Sequence, residues 1–555
     1  MKVVILGNYA TQFLAKSLKN SFKQYGLSVE LYSAEFNTTE YEILDENSQL
    51  YKFKPDYIVW HESTLGIRDA FYKTDTLLRA GFADSYISRT MSLVSEVHKR
   101  LPSVKILFPN HSLTFNDNLF GNYFAKVESS WRFQVDKINY LLNASSLTSN
   151  SFYVISSSPV DTLEPVTDYT QVANAELHFT LSYLTWMSGA IVKIVQTFSG
   201  KFAKCVVLDL DNTLWGGVIG DDGVEGIQLG SHGIGKSFVR FQKWLKELKN
   251  RGIILAVCSK NDDQIARIPF LEHPEMILKM EDIAVFIANW QSKADNLAQI
   301  QKILNIGFDS IVFLDDNPAE RDIVRKHIPG IIVPELPEDP SYYLPFLIKE
   351  NIFETTSFSA NDSERTRQYQ EESKRMELSS SITNMDDFLN SLEMSATLTS
   401  FGRPDYERIS QLTQRSNQFN LRTVRYTTSD IANIASDDSF LTLAVELSDK
   451  FGKYGLISVV IIKLSGTDAH IDTWIMSCRV LKRTVEHMAM NHVIDILQEK
   501  GIQTLYGEYL PTAKNKLVET LLEDLGMTEY ENDKFIINTE SYKKLKTYIK
   551  YAGDN

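Results

Sequence analysis

The sequence predicts an α/β protein built mainly on doubly wound parallel sheets, with an α+β block at its end. Short and almost wholly apolar runs, such as Val3–Leu6 and Cys205–Leu208, are typical of strands that are buried on both faces of a sheet. Helical patterns separate these runs, as they do in β-loop-α folds. The chain has 555 residues, of which 43% are apolar and 23% charged. This composition is ordinary for folded protein, and the chain is too long for one core.

Residues 1–199 are predicted to form the first domain. We expect the apolar runs Val3–Leu6, Tyr57–Trp60 and Ile106–Phe108 to be strands of a parallel sheet. A helix is expected over His178–Phe198, where the apolar residues recur with helical spacing. The pattern therefore indicates an α/β domain.

Residues 200–345 are predicted to form a second α/β domain with the same alternation. The expected strands are Cys205–Leu208, Ile253–Val257 and Ile311–Leu314, and the expected helices are Ser237–Asn250 and Lys293–Asn305. This alternation predicts a doubly wound sheet. Ligands of such a sheet gather at the carboxyl ends of its strands.

The remainder of the chain is predicted to be a connector and a third domain. Residues 346–390 include a segment dense in charge, which we interpret as a solvated helical connector. Residues 391–555 form the last block, in which Leu441–Leu447 and Ile457–Ile462 resemble antiparallel strands. An amphipathic helix is expected over Val485–Lys500.

Composition excludes several classes of function. The net charge of −14 leaves no general basic surface, so nucleic-acid binding is disfavoured. Three cysteines in a chain of this length cannot form a disulfide framework, which indicates a reducing compartment. The start of the chain has no secretory apolar region, and no later stretch reaches the roughly 18 apolar residues of a membrane span. We therefore expect a cytoplasmic protein that does not enter a membrane.

The strongest chemical signal is a set of polar residues that follow predicted strands. Asp209 and Asp211 come directly after the first strand of the second domain, Ser259 after the next, and the pair Asp315-Asp316 after the last, while Lys293 opens a helix. Strand ends in a parallel sheet meet at one crevice, where these charges would repel one another unless a cation and a phosphate joined them. Mg²⁺ prefers one or two carboxylates with phosphate oxygens, and a carboxylate can attack phosphorus.

These residues resemble the four ordered motifs of the haloacid dehalogenase superfamily. The resemblance implies that Asp209 is the nucleophile and that Asp211 is the general acid and base. It implies Mg²⁺ as the cofactor, held by Asp209, the Asp211 carbonyl and Asp315, with Asp316 beside them. It also implies a small phosphorylated substrate, whose phosphate is bound by a set of polar residues: Asn212, Thr213, Ser259, Lys260 and Lys293.

Longer stretches narrow the resemblance to the FkbH-like proteins of that superfamily, which are also called subfamily IIIC. The stretches are LDLDNTLWGGVIGDDGVEGI, NWQSKADN and FLDDNPAERDIVR, and the similarity continues through ERTRQYQEESKR and QRSNQFNLRT. This resemblance implies a core flanked by an SGNH-hydrolase-like domain and an acetyltransferase-like (GNAT-like) domain. It also implies dephosphorylation of an acyl phosphate such as 1,3-bisphosphoglycerate and transfer of the glyceryl group to an acyl carrier protein, in polyketide or related metabolism.

The residue between the two motif aspartates and the lengths of the intervals between motifs bear on the route of acyl transfer. Family members that load glyceryl groups carry a cysteine between the two motif aspartates, where this chain has Leu210, so transfer through a cysteine at that site is excluded. The phosphopantetheine thiol of the carrier can still attack a bound acyl phosphate. The intervals from Asp209 to Ser259 and from Ser259 to Lys293 are also too short for a cap domain, and an open crevice admits a large acceptor.

Three further residues are candidates for an acyl or carrier site. Cys258 precedes Ser259, but strand alternation turns its side chain to the other face. Cys478 and Arg479 stand where the GNAT-like domain would receive a phosphopantetheine arm, although Cys478 is also an ordinary core residue type. The segment after Arg479 has Lys482 and Thr484 where the acetyltransferase motif has small residues, which disfavours acetyl-CoA chemistry.

Three functions are consistent with these residues. The first is glyceryl transfer to a carrier protein, and the second is hydrolysis of a small phosphomonoester by the same residues. The third is a non-catalytic module that binds a carrier protein or a synthase, which the number of adjacent carboxylates disfavours. The first domain is expected to guide or support rather than catalyse, because Gly7-Asn8-Tyr9 replaces the Gly-Asp-Ser of SGNH hydrolases and Ala175 stands three residues before His178.

Overall fold

A computed structural model describes residues 1–115, 118–158, 165–358 and 384–552, together with Arg367, Glu371, Arg375, Leu378 and Ile382. The chain folds as two compact units, Met1–Gln196 and Thr197–Asn555. No helix among these described residues is long and apolar enough to cross a bilayer.

The first unit is built on a five-stranded parallel sheet with the order β2-β1-β3-β4-β5. Its strands are β1 (Lys2–Leu6), β2 (Glu30–Ser33), β3 (Tyr57–Trp60), β4 (Lys105–Pro109) and β5 (Phe152–Ile155). Its helices are α1 (Gln12–Gln24), α2 (Thr39–Leu44), α3 (Gln49–Phe53), α4 (Thr64–Lys73), α5 (Phe82–Arg100), α6 (Trp131–Leu147), α7 (Tyr169–Ala175) and α8 (Leu181–Phe198).

The core of this unit explains why those segments fold as they do. The apolar runs of β1 and β3 are buried, as expected for central strands of a parallel sheet that is covered on both faces. Helix α1 buries Leu14, Leu18 and Phe22, which recur every four residues and so share one face of the helix. The predicted α/β architecture of this domain is confirmed.

The second unit begins with a four-stranded parallel sheet with the order β8-β7-β6-β9. Its strands are β6 (Cys205–Leu208), β7 (Ile254–Ser259), β8 (Ile283–Ala288) and β9 (Ile311–Leu314). Its helices are α9 (Ile219–Gly226), α10 (Gly235–Asn250), α11 (Asp263–Glu272), α12 (Lys293–Leu304), α13 (Pro318–His327) and α14 (Tyr343–Glu350).

The strand order places three predicted motif loops side by side. Strand β6 lies between β7 and β9, so the loops that follow these three strands meet at one end of the sheet. In the fully described interval from Asp209 to Ser259 the helices are α9 and α10, and neither builds a cap domain. The crevice at this end of the sheet is therefore formed without a cap inserted there.

The rest of the second unit is an eight-stranded mixed sheet with the order β15-β16-β14-β13-β12-β11-β10-β17. Its strands are β10 (Ser395–Thr399), β11 (Phe440–Asp449), β12 (Gly452–Ser465), β13 (Asp468–Met476), β14 (Thr504–Glu508), β15 (Thr528–Glu531), β16 (Lys534–Asn538) and β17 (Lys550–Tyr551). Its helices are α15 (Met385–Ser391), α16 (Tyr406–Arg415), α17 (Thr428–Ala435), α18 (Val485–Glu499) and α19 (Leu521–Asp524).

Most neighbouring strands of this sheet are antiparallel, and the predicted pairing of β11 with β12 is confirmed. Strands β13 and β14 run parallel because α18 forms the crossover between them. The predicted fold class, parallel α/β sheets with an α+β block, agrees with this architecture.

The connector is solvated at only some of the positions that the structure describes, since Arg367 is exposed as expected. Glu371 and Arg375 are buried, and the Arg375 guanidinium donates to Asp449 from Nε at 2.6 Å and from Nη2 at 2.8 Å. The expectation of a solvated segment is wrong there, because the charge is paired inside the mixed-sheet domain. Most other positions from 359 to 383 lie outside the described residues.

Candidate active site

The loop after β6 is tightly folded and places Asp209 and Asp211 at the mouth of the crevice. The Asp209 backbone N–H donates to the Leu314 carbonyl at 2.9 Å, so the loop begins paired with the end of β9. Asn212 has a φ of 56°, and its side-chain oxygen accepts a hydrogen bond from Gly217 at 2.9 Å. Gly217 has a φ of 92°, and a Cβ there would lie 2.4 Å from an Asp222 oxygen, so this turn requires glycine.

Lys293 joins two of the predicted acidic residues. Its Nζ lies 3.0 Å from Asp209 Oδ2 and 2.5 Å from Asp315 Oδ2, and all three side chains are almost fully buried. Burial alone lowers the pKa of Lys293, but the two carboxylates outweigh it and hold this pKa above its ordinary value. Lys293 therefore stays cationic and holds Asp209 in place.

Asp209, Asp315 and Asp316 form a cluster that fits a divalent cation. One carboxylate oxygen of each lies within 4.8 Å of the others. Asp209 Oδ1 is buried and has no hydrogen-bond partner among the residues that the structure describes, which is a costly state unless something else binds it. Burial and the charge of Asp209 raise the pKa of both Asp315 and Asp316. A hard cation such as Mg²⁺ fits this oxygen-rich donor set and relieves its repulsion.

Asp211 lies outside that cluster and is held by three donors. Its Oδ1 accepts from the Trp215 indole at 2.9 Å and from the Ile219 backbone at 3.0 Å, and its Oδ2 accepts from Asn261 Nδ2 at 3.0 Å. Burial raises the pKa of this carboxyl group. Its carboxylate is therefore fixed in direction, and its proton affinity is increased. Sequence reasoning missed Trp215 and Asn261, although Asn261 follows the same strand as Ser259.

The predicted phosphate-binding residues separate into two groups. Thr213 and Ser259 are buried at the crevice, and Thr213 Oγ1 accepts from the Asp316 backbone N–H at 3.1 Å. Lys260 is instead exposed, and its Nζ lies 2.6 Å from Glu320 Oε1. The structure thus brings Thr213, Ser259 and Lys293 to the crevice, while Lys260 is engaged by a surface carboxylate.

Arg321 is a site residue that sequence reasoning missed. Its buried Nη1 donates to the backbone carbonyls of Asp315 at 2.7 Å and of Asp316 at 2.8 Å. Asn317 caps α13 through its side-chain oxygen, and Pro318 opens that helix, so the local sequence sets where Arg321 projects. The only available signal was the stretch FLDDNPAERDIVR itself.

Of the candidate acyl and carrier residues, the structure describes the side chains of Cys258 and Arg479, and both are buried. Cys258 is fully buried with Sγ 3.8 Å from the Lys293 carbonyl, and burial raises the pKa of its thiol, which opposes an acyl-acceptor role. The side chain of Cys478 lies outside the described part of the chain. Arg479 is 9% exposed, and its Nε donates to Ser477 Oγ at 3.2 Å.

The loop before α18 contains two residues with left-handed backbone and is covered by residues 547 and 548. Lys482 and Thr484 have φ values of 62° and 63°, the left-handed backbone that glycine adopts most easily. The Tyr548 backbone donates to Thr484 Oγ1 at 3.3 Å, and Thr547 Oγ1 donates to the Thr484 carbonyl at 3.3 Å. Residues 547 and 548 thus lie against the start of α18.

The corresponding end of the sheet in the first unit carries a different set of side chains. Tyr9 follows β1, and its hydroxyl lies 2.6 Å from His61 Nδ1. His111 Nε2 lies 3.1 Å from the Tyr86 hydroxyl, which in turn donates to Glu62 at 2.5 Å. The tyrosine that follows β1 is thus buried and engaged by an imidazole.

Two acetyltransferases are among the solved structures that match part of this chain. Among solved structures, the ribosomal-protein-S18-alanine N-acetyltransferase from Escherichia coli is 17% identical, with a TM-score of 0.21, and covers 29% of this chain and 97% of its own. The spermidine N-acetyltransferase from Vibrio cholerae in complex with CoA and spermine is 15% identical, with a TM-score of 0.22, and covers 27% and 98%. The search of curated proteins found no match.

A family model and a solved relative identify the family of this chain. The model of the FkbH N-terminal domain matches residues 2–196. The N-terminal part of protein BF1531 from Bacteroides fragilis, which contains a phosphatase domain and was solved in complex with Mg, is 43% identical with a TM-score of 0.61. That match covers 64% of this chain and 95% of the relative. On this evidence, the chain belongs to the FkbH-like family, and its acidic crevice is that of a haloacid dehalogenase-type domain.

Proposed function

We propose that the protein is a Mg²⁺-dependent phosphoryl-transfer enzyme with Asp209 as its nucleophile. The observation that carries the proposal is the state of Asp209, whose Oδ2 is held by Lys293 while its buried Oδ1 has no hydrogen-bond partner in the described part of the chain. Asp209 attacks the phosphorus of the substrate, an O–P bond forms to the carboxylate, and the bond to the leaving oxygen breaks. Asp209 and Asp315, with Asp316 beside them and the Asp211 carbonyl, would hold Mg²⁺, which would supply positive charge next to the transferred phosphoryl group.

Asp211 is suited to move the proton in this reaction. Its carboxyl group is oriented by Trp215, Ile219 and Asn261, and burial raises its pKa, so it holds a proton more readily than an exposed aspartate. It gives this proton to the leaving oxygen and then takes one from the acceptor that attacks the aspartyl-phosphate. Lys293 stays cationic throughout and offsets the charge on the phosphoryl oxygens.

The more specific proposal is glyceryl transfer to a carrier protein. The substrate is an acyl phosphate that also carries a phosphate ester, such as 1,3-bisphosphoglycerate. Asp209 takes the ester phosphate, which water releases from the aspartyl-phosphate. The carrier's phosphopantetheine thiol attacks the acyl carbon, so that a C–S bond forms, the C–O bond to the acyl phosphate group breaks, and inorganic phosphate leaves. The supporting observations are the family and the crevice without an inserted cap, which leaves room for a protein-borne thiol.

Hydrolysis of a phosphomonoester is the second candidate. Leu210 stands between the two motif aspartates, so the crevice offers no thiol there to receive an acyl group, and Cys258 is buried. Water then attacks the phosphorus of the aspartyl-phosphate, the bond to Asp209 breaks, and inorganic phosphate is released. This candidate needs no partner protein.

Intact-mass spectrometry separates the two candidates. The protein is incubated with Mg²⁺, a 1,3-bisphosphoglycerate generating system and candidate carrier proteins in their phosphopantetheine-bearing forms. A glyceryl adduct on a carrier supports transfer, whereas phosphate release with no adduct on any protein supports hydrolysis.

The nucleophile is tested with Asp209→Asn. We expect phosphate release to fall by about 10³-fold or more, because the amide cannot attack phosphorus. Asp322→Asn, an exposed aspartate on α13, is the matched control and should leave the rate unchanged. Normal turnover by the Asp209 variant would overturn the assignment.

A further inference from the structure

Besides the acidic crevice, the Thr197–Asn555 unit contains a cavity between its two sheets. Its volume is about 360 Å³, within the range of small-molecule sites. Lys204 and Ser310, which immediately precede β6 and β9, line one side. Met476 and Ser477, at the end of β13, line the other side. The cavity is therefore formed jointly by the four-stranded sheet and the mixed-sheet domain.

This cavity is separate from the acidic crevice. Lys204 stands before β6 and Asp209 stands after it, and five residues of extended strand span roughly 16 Å. Ser310 and Asp315 are related in the same way across β9. A small ligand in the cavity therefore lies at the opposite end of the sheet from Asp209 and does not reach its carboxylate.

The lining of the cavity carries an excess of positive charge, which is opposite in sign to the net charge of the chain. Its lining includes Lys204, Arg408, Arg479 and Lys514, and Asp309 is the acidic residue among them. The whole chain carries a net charge of −14, so a concave surface with this excess of cations is unusual for it. Concave surfaces lined by one sign of charge concentrate ligands of the other sign.

The two guanidinium groups and Lys514 each have a side-chain partner that orients them, although Lys514 is partly exposed. Arg479 is 9% exposed and is fixed by its hydrogen bond to Ser477. Arg408 Nη1 donates to Gln411 Oε1 at 2.8 Å, and Lys514 Nζ lies 2.6 Å from Asp309 Oδ2. Guanidinium groups that are oriented in advance favour phosphate, since their planar donors match its oxygens.

We propose that this cavity binds a small organic phosphate. The phosphoryl group lies among the cationic side chains, with neutral donors such as Asn417 beside them. The carbon part of the ligand lies against Phe419, Leu412 and Met476, which form the apolar part of the lining. Such a ligand joins the two domains that form the cavity, and it acts at a place remote from phosphoryl transfer.

Calorimetric titration of the full chain tests the proposal, with glycerol 3-phosphate as the probe and glycerol as its matched control. Both are titrated without Mg²⁺, so that the result does not depend on turnover or on the proposed function. We expect glycerol 3-phosphate to bind and glycerol not to bind. Inorganic phosphate should compete with the probe.

Hydrogen exchange of the same samples locates the bound probe. Exchange should slow in peptides that cover residues 305–310, 416–419 and 476–479, because these segments line the cavity. Protection confined to peptides that cover 208–217 and 315–317 would place the probe in the acidic crevice instead and overturn the proposal.

Two variants of opposite charge effect separate binding from a structural defect. Lys514→Gln removes a cation and should weaken binding of glycerol 3-phosphate about tenfold. Asp309→Asn removes the opposing carboxylate and should strengthen it. Both side chains are 40% or more exposed, so neither change disturbs a core. Equal affinities in the three proteins, or weaker binding in both variants, would overturn the proposal.

Discussion

At the scale of single residues, the chemistry of the crevice depends on a buried lysine that two carboxylates share. Replacing Lys293 with methionine keeps the length of the side chain but removes its charge. We expect phosphate release to fall by about 10²- to 10³-fold, as for other losses of one fixed electrostatic group. Steady-state kinetics at saturating Mg²⁺ measure this effect.

Lys302→Met is the matched control, because Lys302 lies in the last turn of the same helix α12 and is exposed. Its turnover should match that of the unchanged protein. Turnover by Lys293→Met within about twofold of the control would show that the ammonium group does not act on the phosphoryl group.

The residues that bear the chemistry were predictable, but their supporting contacts were not. Asp209 and Asp315 each follow a buried strand and Ser259 ends one, so their meeting follows from the parallel topology alone. Asn261 and Arg321 were missed because their roles depend on side-chain direction, which no period in the sequence encodes.

At the scale of elements, α13 supports the site by holding the loop that precedes it. Arg321→Met removes the donor shared by the Asp315 and Asp316 carbonyls while keeping an apolar stem of similar length. We expect the Mg²⁺ dissociation constant to rise about 10- to 100-fold, because changes in the groups that orient metal ligands have effects of this size. Calorimetric titration with Mg²⁺ alone measures it.

Arg325→Met serves as the comparison, since Arg325 lies one turn further along α13 and shares the Glu335 contact of Arg321. Its other contact is the Val333 carbonyl rather than the carbonyls of Asp315 and Asp316. Its affinity for Mg²⁺ should stay at the original value. If both variants bind Mg²⁺ as tightly as the original chain, α13 has no positioning role.

The predicted elements agree best with the structure where the sequence pattern was strongest. β6 and β9 match their predicted bounds, because a fully buried strand is apolar at every position. β2, with the sequence ELYS, was missed because it lies at the edge of its sheet and carries polar residues. β12 runs over Gly452–Ser465, far beyond the predicted Ile457–Ile462, since its ends leave the apolar core.

At the scale of the whole molecule, the two units should respond differently to acid. In the first unit, burial lowers the pKa of His61 and of His111 to about 3. Above pH 6.5 both histidines are neutral whether the chain is folded or unfolded, so they leave stability unchanged. Below pH 6.5 both histidines are protonated in the unfolded chain but stay neutral in the folded unit. Stability is therefore lost as the pH falls from 6.5 towards 3.

Hydrogen exchange of the full chain measures this loss, with rates corrected for the intrinsic effect of pH. Between pH 7.5 and 5.5 the two histidines together should cost about 3 kcal/mol, or roughly 10²-fold in protection of β3 and β4. Peptides from β11 and β12 report on the second unit as an internal comparison. Glu62 acts in the opposite sense, since burial raises its pKa and protonation relieves that cost at lower pH.

A His111→Gln variant isolates the histidine contribution. Glutamine cannot be protonated, so about half of the pH dependence in β3 and β4 should disappear, while the difference between the two units keeps its sign. Protection of β3 and β4 that is equal at pH 7.5 and 5.5 in the unchanged chain would mean that the buried imidazoles accept protons without unfolding. The end of the sheet formed by Tyr9, His61 and His111 would then be open to water, and a closed structural role for it would have to be abandoned.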